Sequence, residues 1–145
     1  MVTTAMIRAV AKLLLAPALV AAFAILVKGY VGPGDGFSAG VVAALGILLQ
    51  YLVLGYQDAQ RLLPTRLAPA VTFAGLLLAL LIGFVPVLRG KAILTEFPPP
   101  GEEAIRLGTL ELIGAFAYDV GVFVLVFGFT IGAISAIARA ASRRD

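Results

Sequence analysis

The chain has no cysteine and no histidine among its 145 residues. Without cysteine, neither a disulfide framework nor a thiolate metal site can form. Without histidine as well, the common transition-metal sites and imidazole-based acid–base catalysis are excluded. Charge is scarce too: charged residues make up 13% of the chain, against roughly 25% in an ordinary soluble domain. Apolar residues take their place, at 61% of the sequence with a mean hydropathy of +1.07. A chain this poor in charge and rich in hydrocarbon reads as an integral membrane protein. Its net charge of +3 comes mostly from Lys and Arg flanking the apolar runs. Such charge describes membrane topology and gives no sign of a nucleic-acid partner.

Four apolar runs, at residues 9–27, 37–55, 69–88 and 110–138, predict an all-α integral membrane protein with four transmembrane helices in a single domain over 1–145. Each run provides the ~20 residues that a spanning helix needs. In the first, Lys12 can snorkel to the interface, and Pro17 frees the carbonyl of Leu13, so a kink or a partner is expected there. Ala22-Phe23-Ala24 resembles a signal-peptidase site behind a basic Arg8 and Lys12. The apolar run continues through Val27, however, so the segment is taken as a span. Gln50 is the only strongly polar member of the second run, and a short polar connection from 56 to 68 follows. Pro69 opens the third run, as proline often opens a helix, and Gly83 with Pro86 predicts that it bends or stops near its far end. The longest loop, 89–108, is stiffened by Pro98-Pro99-Pro100 and made acidic by Glu96, Glu102 and Glu103. The last run is too long for a bare span, carries Glu111 and Asp119, and ends at Arg139, Arg143 and Arg144.

Four crossings place both termini and the 56–68 connection on one side. That side carries Arg8, Lys12, Arg61, Arg66, Arg139, Arg143 and Arg144, whereas the other carries Lys28, Arg89, Lys91 and Arg106. A bias of seven basic residues to four predicts cytoplasmic termini. Asp35, Glu96, Glu102, Glu103 and Glu111 then all fall at the outer end.

The stretch from Val31 to Gly40 packs one proline, four glycines and one carboxylate ahead of the second run. Irregular backbone at a bilayer edge must be buried in protein or line a wet cavity. Gly36 and Gly40 stand four apart on one helical face, where they let another helix approach closely. Asp35 is placed to cap that helix, and a plain cap and turn is the simpler reading of the stretch. Gly34-Asp35-Gly36-Phe37-Ser38-Ala39 also fits G-x-G-x-x-A, with Asp58 downstream. Both flanks span the membrane, so the strand and amphipathic helix of a dinucleotide site are lacking. Gly128 and Gly132 form a GxxxG face on the last run, either a close helix contact or an incident of a glycine-rich chain. Asp119, twenty residues before Arg139, is expected in the outer third of the span. A charge deep in a span costs about 2.5–3.5 kcal/mol on insertion scales, so an acid there is a functional candidate by default. The alternatives are an interfacial position or a structural pairing with a basic residue from elsewhere in an assembly.

Pro33-Gly34-Asp35-Gly36-Phe37-Ser38-Ala39-Gly40 resembles the PGGGF-x-x-G signature of the B-type subunit of multisubunit Mrp/Mnh cation/proton antiporters. Tyr118-Asp119-Val120-Gly121-Val122-Phe123 is similar to that family's F-D-x-G-V-F/Y segment in its last helix. Length and four-span layout agree, so the resemblance covers nearly the whole chain. It implies a subunit of a hetero-oligomeric complex in a bacterial or archaeal cytoplasmic membrane that exchanges Na⁺ or another monovalent cation for protons. The larger subunits of that family carry the proton-conducting machinery. Pro33, Gly34, Gly36, Phe37 and Asp119 are the positions carried over by motif. Asp35 stands where the family has its middle glycine, and Tyr30 where a histidine is common, departures that also suit a diverged relative such as a membrane-bound hydrogenase subunit.

The expected function is therefore an accessory antiporter subunit that helps form or support a cation path, with Asp119, Asp35 and Glu111 as candidate path residues. Pro33, Gly34, Gly36, Phe37, Gly40, Gly128 and Gly132 are the candidate loop and packing residues. The expected partners are other antiporter subunits, monovalent cations, protons and the lipid bilayer, with no cofactor, metal or nucleic acid. A purely structural role in a complex and an independent small homo-oligomeric transporter are the competing readings. An enzyme is disfavoured for want of a nucleophile–base pair.

Overall fold

A computed structural model of the chain describes residues 2–28, 35–62, 65–88, 90 and 104–144, with side chains at all of these except 2, 3, 65 and 104–113. It contains helices α1 (Val2–Lys28), α2 (Asp35–Leu54), α3 (Tyr56–Leu62), α4 (Ala68–Leu88) and α5 (Ala104–Ser142), with a 3-10 turn at Thr65–Leu67 before α4. There is no strand among the described residues, which removes the dinucleotide-site reading of the glycine stretch. Four of the helices, α1, α2, α4 and α5, are long and apolar enough to cross a membrane. Helix is the expected outcome where the surrounding hydrocarbon offers backbone groups no partner.

The helices stand in a row, with α1 packed on α2, α2 on α5 and α5 on α4. Small residues make each seam. On α1, the buried Ala11 and Ala22 share a stripe with Ala18, and a Cβ added at Gly46 of α2 would lie 2.9 Å from the Ala18 Cβ. Such stripes let helices approach until their backbones nearly touch, which matters where lipid removes the hydrophobic drive to associate. Half of the apolar window of α2 is buried inside the chain, against 17% for α1 and α4 at the two ends of the row. Exposed on those outer helices are Leu13, Val20 and Phe23 of α1 and Phe73, Leu77 and Leu81 of α4, side chains at home in lipid or against a neighbouring protein.

Left-handed glycines end two of the spans. Gly55, at φ 83°, closes α2 with its N–H donating to the Tyr51 carbonyl at 3.1 Å. Gly90, at φ 73°, follows α4 and donates to the Val87 carbonyl at 2.9 Å. Only glycine takes that conformation without strain.

Two expectations are corrected. The 56–68 connection is mostly helical: α3 buries Ala59 and is tied to the bundle by Tyr56, whose hydroxyl accepts from Arg139 Nε at 2.9 Å and from Gln60 Nε2 at 2.7 Å. α4 runs through Gly83 and Pro86 and ends at Leu88. A proline within one turn of a helix end removes a single ladder bond, and membrane helices tolerate this. Helix α5 begins at Ala104, inside the expected loop, and its 39 residues extend about 58 Å at ~1.5 Å per residue.

Candidate ion-path site

Contacts between α2 and α5 bring the two sequence motifs together. A Cβ added at Gly36 would run into the carbonyl oxygen of Asp119 and lie 2.9 Å from its carbonyl carbon and Cα. One turn further on, a Cβ at Gly40 would lie 3.0 Å from the Val126 Cβ and 3.2 Å from the Phe123 carbonyl oxygen. Both helices advance in the same direction along this seam, so α2 and α5 are parallel. The Gly36/Gly40 face is thus used inside the chain, against its own last helix.

Asp119 is 3% exposed and level with the first turn of α2, at the end of the bundle away from Arg139. Two residues later the helix turns its other side to α4: a Cβ at Gly121 would lie 2.9 Å from the Ala79 nitrogen. The Asp119–Phe123 segment is therefore held between α2 and α4. A carboxylate in such a place can take up a proton or attract a monovalent cation. No group of three or more His, Cys, Asp or Glu suited to a metal ion occurs among the described residues. Among the described residues Asp119 is the buried acid at this seam, with Asp35 in the first turn of α2 nearby.

The other expected site residues fall in several places. Asp35 is in the first turn of α2 and half-buried, inside the helix and not ahead of it as its cap. Pro33 and Gly34 lie outside the described residues, and so does the side chain of Glu111, whose backbone belongs to α5. Phe37 does not join the seam, being 59% exposed. The GxxxG pair divides: a Cβ at Gly128 would lie 2.8 Å from Thr72 Oγ1 and 2.9 Å from the Thr72 nitrogen, whereas one at Gly132 would make an ordinary 3.7 Å contact with the Ala68 Cβ.

Two contributors escaped the sequence reading. Gly75 of α4 faces Gly121 and Leu125, and a Cβ there would lie 2.8 Å from the Gly121 carbonyl oxygen and strike the Leu125 nitrogen. The signal available was the four-residue spacing of Gly75, Ala79 and Gly83, all three buried, although the partner of Gly75 is distant in sequence. Gln50, noted only as a polar blemish, is buried and donates Nε2 to the Ala11 carbonyl at 2.7 Å. Its donor reaches Ala11 and not the Leu13 carbonyl left open by Pro17. Asp58, the distant acid of the dinucleotide pattern, lies 4.0 Å from Arg8 in a half-exposed ion pair.

Residues 6–132 match the family model described as a domain related to the MnhB subunit of Na⁺/H⁺ antiporter. A protein of Alkalihalophilus pseudofirmus, named as the B subunit of a Na⁺/H⁺ antiporter, is 33% identical over 110 residues, covering 76% of this chain and 75% of that protein. Its namesake from Bacillus subtilis is 34% identical over 115 residues, with 79% of each chain covered. A Rhizobium meliloti protein, named as the A/B subunit of a probable K⁺/H⁺ antiporter, is 32% identical over 128 residues, which are 86% of this chain but only 12% of that protein. No solved structure matches the chain.

Proposed function

The chain belongs to the family of domains related to the MnhB subunit of Na⁺/H⁺ antiporter, and from that premise we propose that it is an accessory membrane subunit of a multisubunit cation/proton antiporter in the bacterial cell membrane, with Asp119 contributing to the cation path. The observation that carries the second half is the burial of Asp119 in a membrane-crossing helix, at the head of the α2–α5 seam. A carboxylate buried in a membrane-crossing helix can attract a cation or a proton. Na⁺, K⁺ and protons are the ions that the relatives' names specify.

The partners are the other subunits of such a complex. In the Rhizobium relative, the region similar to this chain is a small part of a protein whose name joins the A and B subunits, which supports a place beside a much larger protein. The same names favour a transport role over an enzyme, and an antiporter over a related hydrogenase. A purely structural role draws support from the glycine seams, which serve packing whether or not ions pass.

The two roles separate on Asp119→Asn and Asp119→Glu in the whole complex, with cation-driven proton movement measured in vesicles across external cation concentrations. The backbone of Asp119, not its side chain, meets Gly36, so the Asn variant should keep the crossing and co-purify with its partner subunits. A path role predicts a severalfold higher cation requirement in Asn and partial rescue in Glu. Normal exchange in Asn at every cation concentration removes Asp119 from the path. Lower complex yield in Asn assigns it to a structural pair instead.

Cytoplasmic termini follow from the seven-to-four basic bias. Contacts of Arg8 with Asp58 and of Tyr56 with Arg139 put the start of α1 and the end of α5 at one end of the bundle. A single cysteine at Ser142, in a chain with none of its own, should resist an impermeant label in intact cells. Labelling from outside reverses the orientation.

A further inference from the structure

At the basic end of the bundle, the start of α4 and the last turns of α5 leave between them an open cavity of about 310 Å³, walled by Pro69, Gly132, Ser135, Arg139 and Arg143 among others. No acid lines it. Ser135 is 5% exposed and is one of the residues that wall the cavity. The Arg139 guanidinium is pinned by its Nε bond to the Tyr56 hydroxyl at 2.9 Å and lies 6.0 Å from the Tyr56 ring centroid. Its terminal nitrogens are left for another acceptor. One turn toward the membrane interior, Phe129 and Phe73 are exposed, an apolar track beneath a polar mouth.

We propose that this cavity holds the phosphate head group of an anionic phospholipid, clasped by Arg139 and Arg143 with the Ser135 hydroxyl as a further donor and the acyl chains lying along Phe129 and Phe73. A planar guanidinium suits a phosphate, because its forked donors match two oxygens at once. The positive end of α4 adds to the attraction. Basic pockets between membrane helices at a membrane surface are where such head groups bind. Compensation of the carbonyl end of α5 would account for the arginines, but not for the open volume they wall. The site is independent of Asp119, which lies at the opposite end of the bundle.

The test uses the purified complex in nanodiscs of phosphatidylcholine containing a minor share of phosphatidylglycerol, with retained lipid read by native mass spectrometry. Arg143→Gln, at an exposed position that leaves the bundle intact, should lower phosphatidylglycerol retention about fivefold, the worth of one basic residue at an anionic surface. Ser135→Leu, which fills the cavity, should do the same, while Arg144→Gln, outside the cavity walls, should retain the lipid. Equal loss in Arg144→Gln overturns the proposal in favour of a diffuse basic surface. Inorganic phosphate bound by the complex without preference for phosphatidylglycerol assigns the cavity to a soluble anion and overturns the lipid assignment. Loss of partner subunits from Arg143→Gln with lipid unchanged assigns it to an acidic protein partner, and overturns it likewise.

Discussion

At its head, α2 offers a bare glycine to the backbone of Asp119; near its other end it offers Gln50 to the backbone of Ala11. Both junctions bury a polar side chain in an apolar row, yet the two groups can do different things. The Gln50 amide is neutral, and its Nε2 donates to the carbonyl of the neighbouring helix at 2.7 Å and more weakly to Gly46 at 3.4 Å. Its Oε1 is buried without a hydrogen-bond partner among the described residues. Such an amide fastens helices and cannot change its charge. The Asp119 carboxylate can gain or lose a proton, and the crossing beside it is made by backbone and glycine without the side chain. The end fastened by an amide is architectural, and the end with an acid is the one at which we propose the cation path.

The largest expected effect tests the tight end. Gly36→Ala places a methyl group against the Asp119 carbonyl, where neither backbone can yield, and overpacking of this kind costs about 1–3 kcal/mol or more. The amount of this chain extracted in the complex should fall sharply, and wild-type yield would show that the seam is not as close as described. Gln50→Leu should be milder. Losing one interhelical hydrogen bond in a membrane costs about 0.6 kcal/mol, so the complex should melt slightly lower with an unchanged cation dependence. A shifted cation requirement in Gln50→Leu would erase the contrast with Asp119. The smallest effect belongs to the GxxxG pair on α5: Gly128→Ala should lower yield, because the new methyl meets Thr72, while Gly132→Ala meets only the Ala68 Cβ at 3.7 Å and should be silent. Equal sensitivity at both positions contradicts the described α4–α5 seam.

The four spans were legible because a bilayer imposes length and apolarity on any helix that crosses it. Gly36 and Gly40 were legible as a contact face from their spacing, and Asp119 as a buried acid from its apolar surroundings. That these two features meet was not legible, because periodicity reports which face of a helix is special but not which distant helix covers it. Helix α3 was hidden by its composition: Asp58, Arg61 and two glutamines read as a polar connection, and only docking of Tyr56 on Arg139 reveals its place. Gly75 stands four residues before Ala79, a small pair at helical spacing, but such a pair marks a face without naming its partner, and Gly121 is distant in sequence. The exposure of Phe37 was likewise out of reach, since an aromatic ring in an apolar run suits lipid and core equally.

The open row has a consequence for how anything crosses the membrane with this chain's help. A closed bundle of four helices packs around a centre, whereas the described helices pack mainly in succession, α1 on α2, α2 on α5 and α5 on α4, with α1 touching α5 only slightly. The chain is a wall and not a tube. On the proposed function such a wall needs a facing protein to complete a path for ions, and the buried Asp119 would meet that path from within the α2–α5 seam.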